Sequence, residues 1–315
     1  MKLEFNYFMN RKSTAILLLL LTACNITGNV VLPPVEEGPP IEVYFCPKDN
    51  CNIALHSMLA NSSKIVCAMY SLDVPEVRQI LKEKNAQLVA EYDNRNDFTG
   101  LDAVFDKSGA LMHNKFCVLD NKIVITGSYN PTSRKQKAND MIIIPSEFLA
   151  KNYLSEFDEM KHGRFGGGNP PPYPAITYNN ATIRAAFCPE DNCAEKVLSS
   201  LKQAKEKIRF MTYSFTDDEI GDFLAKTSVQ VEGIFDMSQN DKYSEYPKLA
   251  DKSVKRSLHH KVFIIDNSTV ITGSFNPTKN GNERNDENLL VINDEKIAAR
   301  YAEQFSQVRL LTREN

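Results

Sequence analysis

The chain has 315 residues, 42% of them apolar and 24% charged, with 13 Gly and 15 Pro. This is ordinary globular composition at a length suited to two domains, and it excludes collagen-like, coiled-coil and wholly disordered chains. The formal net charge is −3, and removal of residues 1–23, with three bases and one acid, leaves −5. No basic face follows from such a balance, so a nucleic-acid role would need a local patch.

At the N-terminus, Arg11 and Lys12 precede an apolar run from Ala15 to Leu21 that ends in Leu21-Thr22-Ala23-Cys24. A basic region, a short apolar region and small residues at a cut site predict an export signal over 1–23. The run falls short of the roughly 20 residues a spanning helix needs. Residues 24–40 are polar and Pro-rich, which predicts a tether.

From Phe45 the chain repeats itself. Phe45-Cys46-Pro47-Lys48-Asp49-Asn50-Cys51 returns as Phe187-Cys188-Pro189-Glu190-Asp191-Asn192-Cys193. Met69-Tyr70-Ser71 is answered by Thr212-Tyr213-Ser214, and Tyr92-Asp93 by Phe235-Asp236. The run from Leu111 to Thr132 is matched by that from Ser257 to Thr278. Between the copies, 163–174 reads GRFGGGNPPPYP, unsuited to helix or strand. The expected parts are therefore unit 1 over 41–161, a linker over 162–178 and unit 2 over 179–312.

Within each copy, Ile65 to Tyr70, Gln87 to Tyr92, Ile208 to Tyr213 and Val229 to Phe235 predict strands. Pro75 to Asn85 and Asp217 to Lys226 carry helical spacing. Phe116 to Leu119 and Val262 to Ile265 are short apolar runs, as expected of strands buried on both faces. Strands alternating with helices predict an α/β fold.

Cys46/Cys51 and Cys188/Cys193 form equivalent CxxxxC pairs. In an exported chain they read as two disulfides. One zinc site built from all four cysteines is the alternative, and duplicated local pairs are the simpler arrangement. Cys67 and Cys117, inside apolar runs, read as reduced core residues.

Each copy carries H-x-K-x4-D-x6-G-S-x-N: His113, Lys115, Asp120, Gly127, Ser128, Asn130, then His259, Lys261, Asp266, Gly273, Ser274, Asn276. Residues two apart on a strand share a face, so His projects with Lys and Ser with Asn. Imidazole, ammonium, hydroxyl and amide on one face suit a phosphate. Two half-sites supply two imidazoles, one to attack phosphorus and one to protonate the leaving oxygen.

The paired motif resembles the phospholipase D superfamily across about residues 41–311, and Leu21 to Cys24 resembles the bacterial lipobox, in which the Cys is acylated. In copy two, Met211 to Ile220 and Asn285 to Ile292 look especially like the short endonuclease and cardiolipin-hydrolase branch. The resemblance implies tandem α/β/α units about a pseudo-twofold axis, one active site between them, no cofactor or metal, and a covalent phosphohistidine. It puts Lys115, Lys261, Asn130 and Asn276 on the phosphate oxygens. Asp120 and Asp266 count among the catalytic motif residues with a mainly bracing role. The expected product is a lipid-anchored monomer, an internal pseudo-dimer, on the outer side of a bacterial membrane. Its expected substrate is phospholipid, with nucleic acid as the alternative and a non-catalytic phosphate-binding lipoprotein as a third reading. The resemblance also implies a carboxylate, Glu287, against His259. Aligning Met141 to Ile144 with Leu289 to Ile292 sets Asn139 opposite Glu287 and Asp140 opposite Asn288. Asp140 is then the candidate to brace His113, with His113 as nucleophile and His259 as general acid.

Overall fold

A computed structural model describes residues 32–133, 137–239 and 242–311, and residues from Pro33 onward cluster as one unit. The export segment and Cys24 lie outside the described residues. No described helix is long and apolar enough to cross a membrane.

Strand β1 (Val35–Glu36) comes first, then β2 (Glu42–Cys46), α1 (Cys51–Ala60), β3 (Ile65–Met69), α2 (Pro75–Glu83), β4 (Gln87–Glu91) and β5 (Ala103–Asp106). The first half continues with β6 (Lys115–Leu119), β7 (Ile123–Gly127), β8 (Asn139–Ile144) and α3 (Glu147–Lys161). After β9 (Ala175–Tyr178) the pattern repeats as β10 (Ala181–Cys188), α4 (Cys193–Leu201), β11 (Lys207–Thr212), α5 (Asp218–Lys226), β12 (Gln230–Asp236) and β13 (Ser253–Arg256). It ends with β14 (Lys261–Ile265), β15 (Thr269–Gly273), α6 (Lys279–Glu283), β16 (Glu287–Asn293) and α7 (Glu295–Leu310).

Half one forms a sheet in the order β2-β8-β7-β6-β3-β4-β5, and half two repeats it as β10-β16-β15-β14-β11-β12-β13, extended by β9 and β1. In each, three parallel strands adjoin four antiparallel ones. The fold is the mixed α/β arrangement expected. The central strands β3, β6 and β14 are buried along their whole length, which is why they read as unbroken apolar runs.

Helices α1 and α2 cover one face of the first sheet, and α4 and α5 one face of the second. The other two faces share a single core with α3 and α7. Tyr153 of α3 lies edge-on to Phe116 of its own sheet and Phe187 of the other, with ring centroids 4.9 and 5.1 Å away. Tyr301 of α7 meets Phe45 of the first sheet at 5.1 Å. The halves are therefore joined by apolar burial, the dominant favourable force in packing.

Two boundaries differ from expectation. Val35 and Glu36, inside the predicted tether, pair with β9, itself inside the predicted linker. The Glu36 carboxylate accepts from the backbone amides of Glu147 (2.9 Å) and Phe148 (3.2 Å), an anion at the N-terminus of α3. The repeat is also in a different register near the cleft. Glu91 accepts from the Met112 amide and Asp236 from the Leu258 amide, both at 2.9 Å, so Glu91 rather than Asp93 corresponds to Asp236.

The cysteines are joined as Cys46–Cys51, Cys188–Cys193 and Cys67–Cys117. The third bond corrects the reading of Cys67 and Cys117 as reduced. They are direct cross-strand partners in the β3·β6 ladder, a relation that becomes visible only once those strands are known to adjoin. No group of three His, Cys, Asp or Glu side chains among the described residues could hold a metal ion.

Candidate active site

Both His-x-Lys segments enter strands at the junction of the halves, where two isolated parallel bridges cross, Met112 to Asp286 and Leu258 to Ala138. The His113 amide donates to the Asp286 carbonyl at 3.0 Å, and the His259 amide to that of Ala138. Each histidine is thus pinned by the strand that opens β8 or β16 of the opposite half.

This crossing relocates the carboxylates. Glu287 does not face His259. Its two carboxyl oxygens lie 2.8 Å from Nδ1 of His113. His259 instead points Nδ1 at the Ser128 carbonyl, 3.0 Å away. Nor does Asp140 brace His113; it pairs with Nδ1 of His260 at 2.9 Å. Asn139 begins β8 as Glu287 begins β16, and its side-chain oxygen is buried without a partner among the described residues.

The lysines lie beneath the imidazoles. Nζ of Lys115 and of Lys261 each donates to the backbone carbonyl of the histidine two residues before it, at 2.7 Å. Lys261 Nζ is also 3.2 Å from Nε2 of His259. Tyr70 and Tyr213 wall the cleft. Tyr70 is 4.8 Å from the His113 ring and Tyr213 4.7 Å from that of His259, and the two ammonium groups lie 4.9 and 5.0 Å over the same rings. These tyrosines were visible only as part of the repeated Tyr-Ser pair. Lys137 joins them, with Nζ 4.8 Å over Tyr213 and 2.9 Å from buried Asp236.

Burial sets the electrostatics. It drives Lys115 down to about 7, and drives Lys261 well below the ordinary lysine value with help from Lys115. His113 and His259 are pushed well down by burial and the two ammonium groups. Burial also raises the Glu287 carboxyl to about 8. Such a crowd of basic groups, with one carboxyl among them, gains from an anion that restores their charge.

The remaining motif residues divide. The Asp120 carboxylate accepts from the Ser63 and Lys64 amides at 2.9 and 2.7 Å. Asp266 accepts from the amides of Lys205, Glu206 and Lys207 at 2.8–2.9 Å. Both sit in hairpin turns at the far ends of β6 and β14, with positive φ at Asp120-Asn121 and Asp266-Asn267. They brace the structure and are removed from the catalytic set.

Ser128 and Ser274 are also removed from the phosphate set. Ser128 Oγ donates to Asp140 at 2.6 Å, and Ser274 Oγ accepts from the Asn288 amide at 2.9 Å. Gly127 and Gly273 hold φ of 131° and 143°, where a Cβ would strike the carbonyls of Asp140 and Asn288. Asn130 and Asn276 stay at the cleft, half-buried; Oδ1 of Asn130 has no partner among the described residues, and that of Asn276 accepts from the Ser214 amide at 3.4 Å.

The family profile "Cardiolipin synthase, PLD-like domain" matches residues 76–161 and 197–309. The chain belongs to the phospholipase D superfamily. A phospholipase D of Rickettsia bellii (strain RML369-C) is 30% identical over 151 residues, 43% of this chain and 75% of that one. A phospholipase D of Rickettsia prowazekii (strain Madrid E) is 28% identical over 144 residues, 42% and 70%. A mitochondrial cardiolipin hydrolase of Canis lupus familiaris is 26% identical over 139 residues, 41% and 55%. Among solved structures, phosphatidylserine synthase of Haemophilus influenzae Rd KW20 superposes with a TM-score of 0.64 at 13% identity, covering 85% of this chain and 86% of that one. That likeness concerns the fold. As a superfamily member with both motifs complete, the chain is a phosphodiester hydrolase.

Proposed function

We propose that the chain cleaves phospholipid phosphodiesters through a covalent phosphohistidine on His113. The observation that carries this reading is the Glu287 carboxyl at Nδ1 of His113. With Glu287 ionised, the ring hydrogen is held on Nδ1 and the Nε2 lone pair is free to attack. As the N–P bond forms, the P–O bond to the leaving group breaks and His259 delivers a proton to the departing oxygen. The same imidazole then takes a proton from water, whose oxygen displaces His113. Lys115, Lys261, Asn130 and Asn276 hold the non-bridging oxygens.

Three observations support phospholipid. Curated relatives bear the names phospholipase D and cardiolipin hydrolase. Leu21 to Cys24 reads as a lipid-attachment site, which would hold the enzyme on the outer side of a membrane. Tyr92 and Met237, which directly follow Glu91 and Asp236, are exposed on the two halves. A nucleic-acid substrate is favoured by one feature: Arg95 and Lys107 lie 4.5 and 5.5 Å from the exposed Tyr92 ring, a stacking surface with cations beside it.

The test is one panel, with full-length protein in detergent offered phosphatidylcholine, cardiolipin, DNA and RNA in EDTA. Headgroup release with nucleic acids intact supports the reading, and nucleic-acid cleavage alone overturns its substrate. Acid quench should trap phosphate on a peptide containing His113; phosphate on His259 would reverse the two roles.

A further inference from the structure

The two halves differ by an inversion at one place. Where β8 opens with amide then acid, Asn139-Asp140, β16 opens with acid then amide, Glu287-Asn288. In half two the acid stands first and touches the imidazole of a motif histidine, His113. In half one it stands second and turns into the core between the halves, with 0% exposure.

There the Asp140 carboxylate is saturated. Oδ1 accepts from Ser128 Oγ (2.6 Å) and His260 Nδ1 (2.9 Å), and Oδ2 from Thr272 Oγ1 (2.6 Å) and the Tyr301 hydroxyl (2.8 Å). Asn288 holds the corresponding place with a neutral set: Thr126, Tyr153, Asn114 and Ser274. Burial pushes the Asp140 carboxyl up, yet His260 and the hydroxyls outweigh it and hold it below the usual carboxylate range.

Ser128 is gripped on three sides by Asp140. Its hydroxyl donates to the carboxylate, its amide donates to the Asp140 carbonyl at 3.0 Å, and its Oγ accepts from the Asp140 amide at 3.0 Å. The one carbonyl so fixed is the acceptor for Nδ1 of His259. A carbonyl only accepts, so it keeps hydrogen on Nδ1 and aims Nε2 into the cleft.

We propose that Asp140 is a positioning residue for His259, acting through the Ser128 peptide to hold that imidazole in the orientation that protonates the leaving oxygen. The proposal rests on His259 being the general acid. The step it serves starts from the His259 imidazolium, the charged form that a bound phosphate anion restores: its Nε2 proton passes to the leaving oxygen as the P–O bond breaks and the His113–phosphorus bond forms, and hydrogen stays on Nδ1.

A leaving group that needs no proton separates this role from a merely structural one. The wild type, Asp140→Asn, Ser128→Ala and His259→Asn are assayed on bis-p-nitrophenyl phosphate and on whichever alkyl diester the panel shows is cleaved. Asp140→Asn should lower alkyl turnover ~10²-fold, the scale of general-acid catalysis, and first-turnover p-nitrophenol release less than ~3-fold. Ser128→Ala, which removes the two links made by the hydroxyl, keeps the backbone link and leaves three donors on the Asp140 carboxylate, should show the same bias more weakly and stands in if Asp140→Asn does not fold. Equal losses on both substrates in the variants that fold, with the bias present in His259→Asn, would overturn the role of Asp140 alone. No bias in His259→Asn would overturn the assignment of the acid beneath it, and the proposal with it.

Discussion

At Asp286 three carboxyls crowd into low dielectric, and the consequence can be measured. Burial raises Asp286 to about 8, with Asp106, Glu190 and Glu287 adding to it, and its Oδ2 has no partner among the described residues. The folded state therefore holds a proton that the unfolded chain has lost above its ordinary value near 4. Stability from this group is whole below about pH 4 and declines as pH rises toward 8. Asp286→Asn, which keeps an oxygen for the Gly166 amide, should gain stability relative to wild type as pH rises. About 1–2 kcal/mol by pH 8, read from denaturant midpoints at pH 5 and 8, is the expected size after discounting the shift. Catalysis should carry a pH signature as well. In the mechanism proposed, attack needs Glu287 ionised, about 8, and phosphate binding needs Lys115 charged, about 7. Activity over KM should be bell-shaped with its maximum between those values. Glu287→Gln should flatten the acid limb and Lys115→Arg the alkaline one; a profile unchanged in both would refute the assignment. His113→Ala or His259→Ala should each lower turnover about 10³-fold or more.

Strands β3, β4, β6, β11, β12 and β14 were legible because their apolar runs are short and bounded. The helices Pro75–Glu83 and Asp218–Lys226 were legible from their spacing. The two-residue strand β1 was not, since Val35-Glu36 makes a ladder only against β9, over 130 residues later in the chain. Pairing between the halves was hidden for the same reason. Aligning the copies put Asp140 opposite Asn288 correctly, but alignment within a copy cannot say that Glu287 reaches across to the other one. The Cys67–Cys117 bond was missed because both residues satisfy the pattern of a buried strand with or without it. In half two its place in the ladder is taken by Phe210 opposite Phe263, rings 6.1 Å apart, so each half fills that position by different chemistry. Alkylation of unreduced protein should find no reactive thiol at Cys67 or Cys117. Replacing both with Ala should cost about 3–4 kcal/mol, as expected for a bond closing a loop of 50 residues. A midpoint unmoved by that replacement would mean the bond does not form.

Across the whole molecule, one core beneath both sheets makes the halves interdependent. Each histidine takes its backbone acceptor, and its Nδ1 partner, from the opposite half. Residues 33–161 and 175–311 expressed apart should be inactive singly, and turnover should return only on mixing. Activity in either alone, in a form shown to be monomeric, would contradict a shared site.

The inversion of acid and amide at the start of β8 and β16 also gives the cleft a polarity. A site made of two identical halves would accept a diester in either direction, and either ester bond could break. With His113 as the proposed nucleophile, the phosphorus is attacked from the half-one side, and the leaving group departs toward His259. An unsymmetrical diester should therefore enter head first in a single orientation and yield one alcohol. A chiral thiophosphate analogue should be turned over as one stereoisomer only.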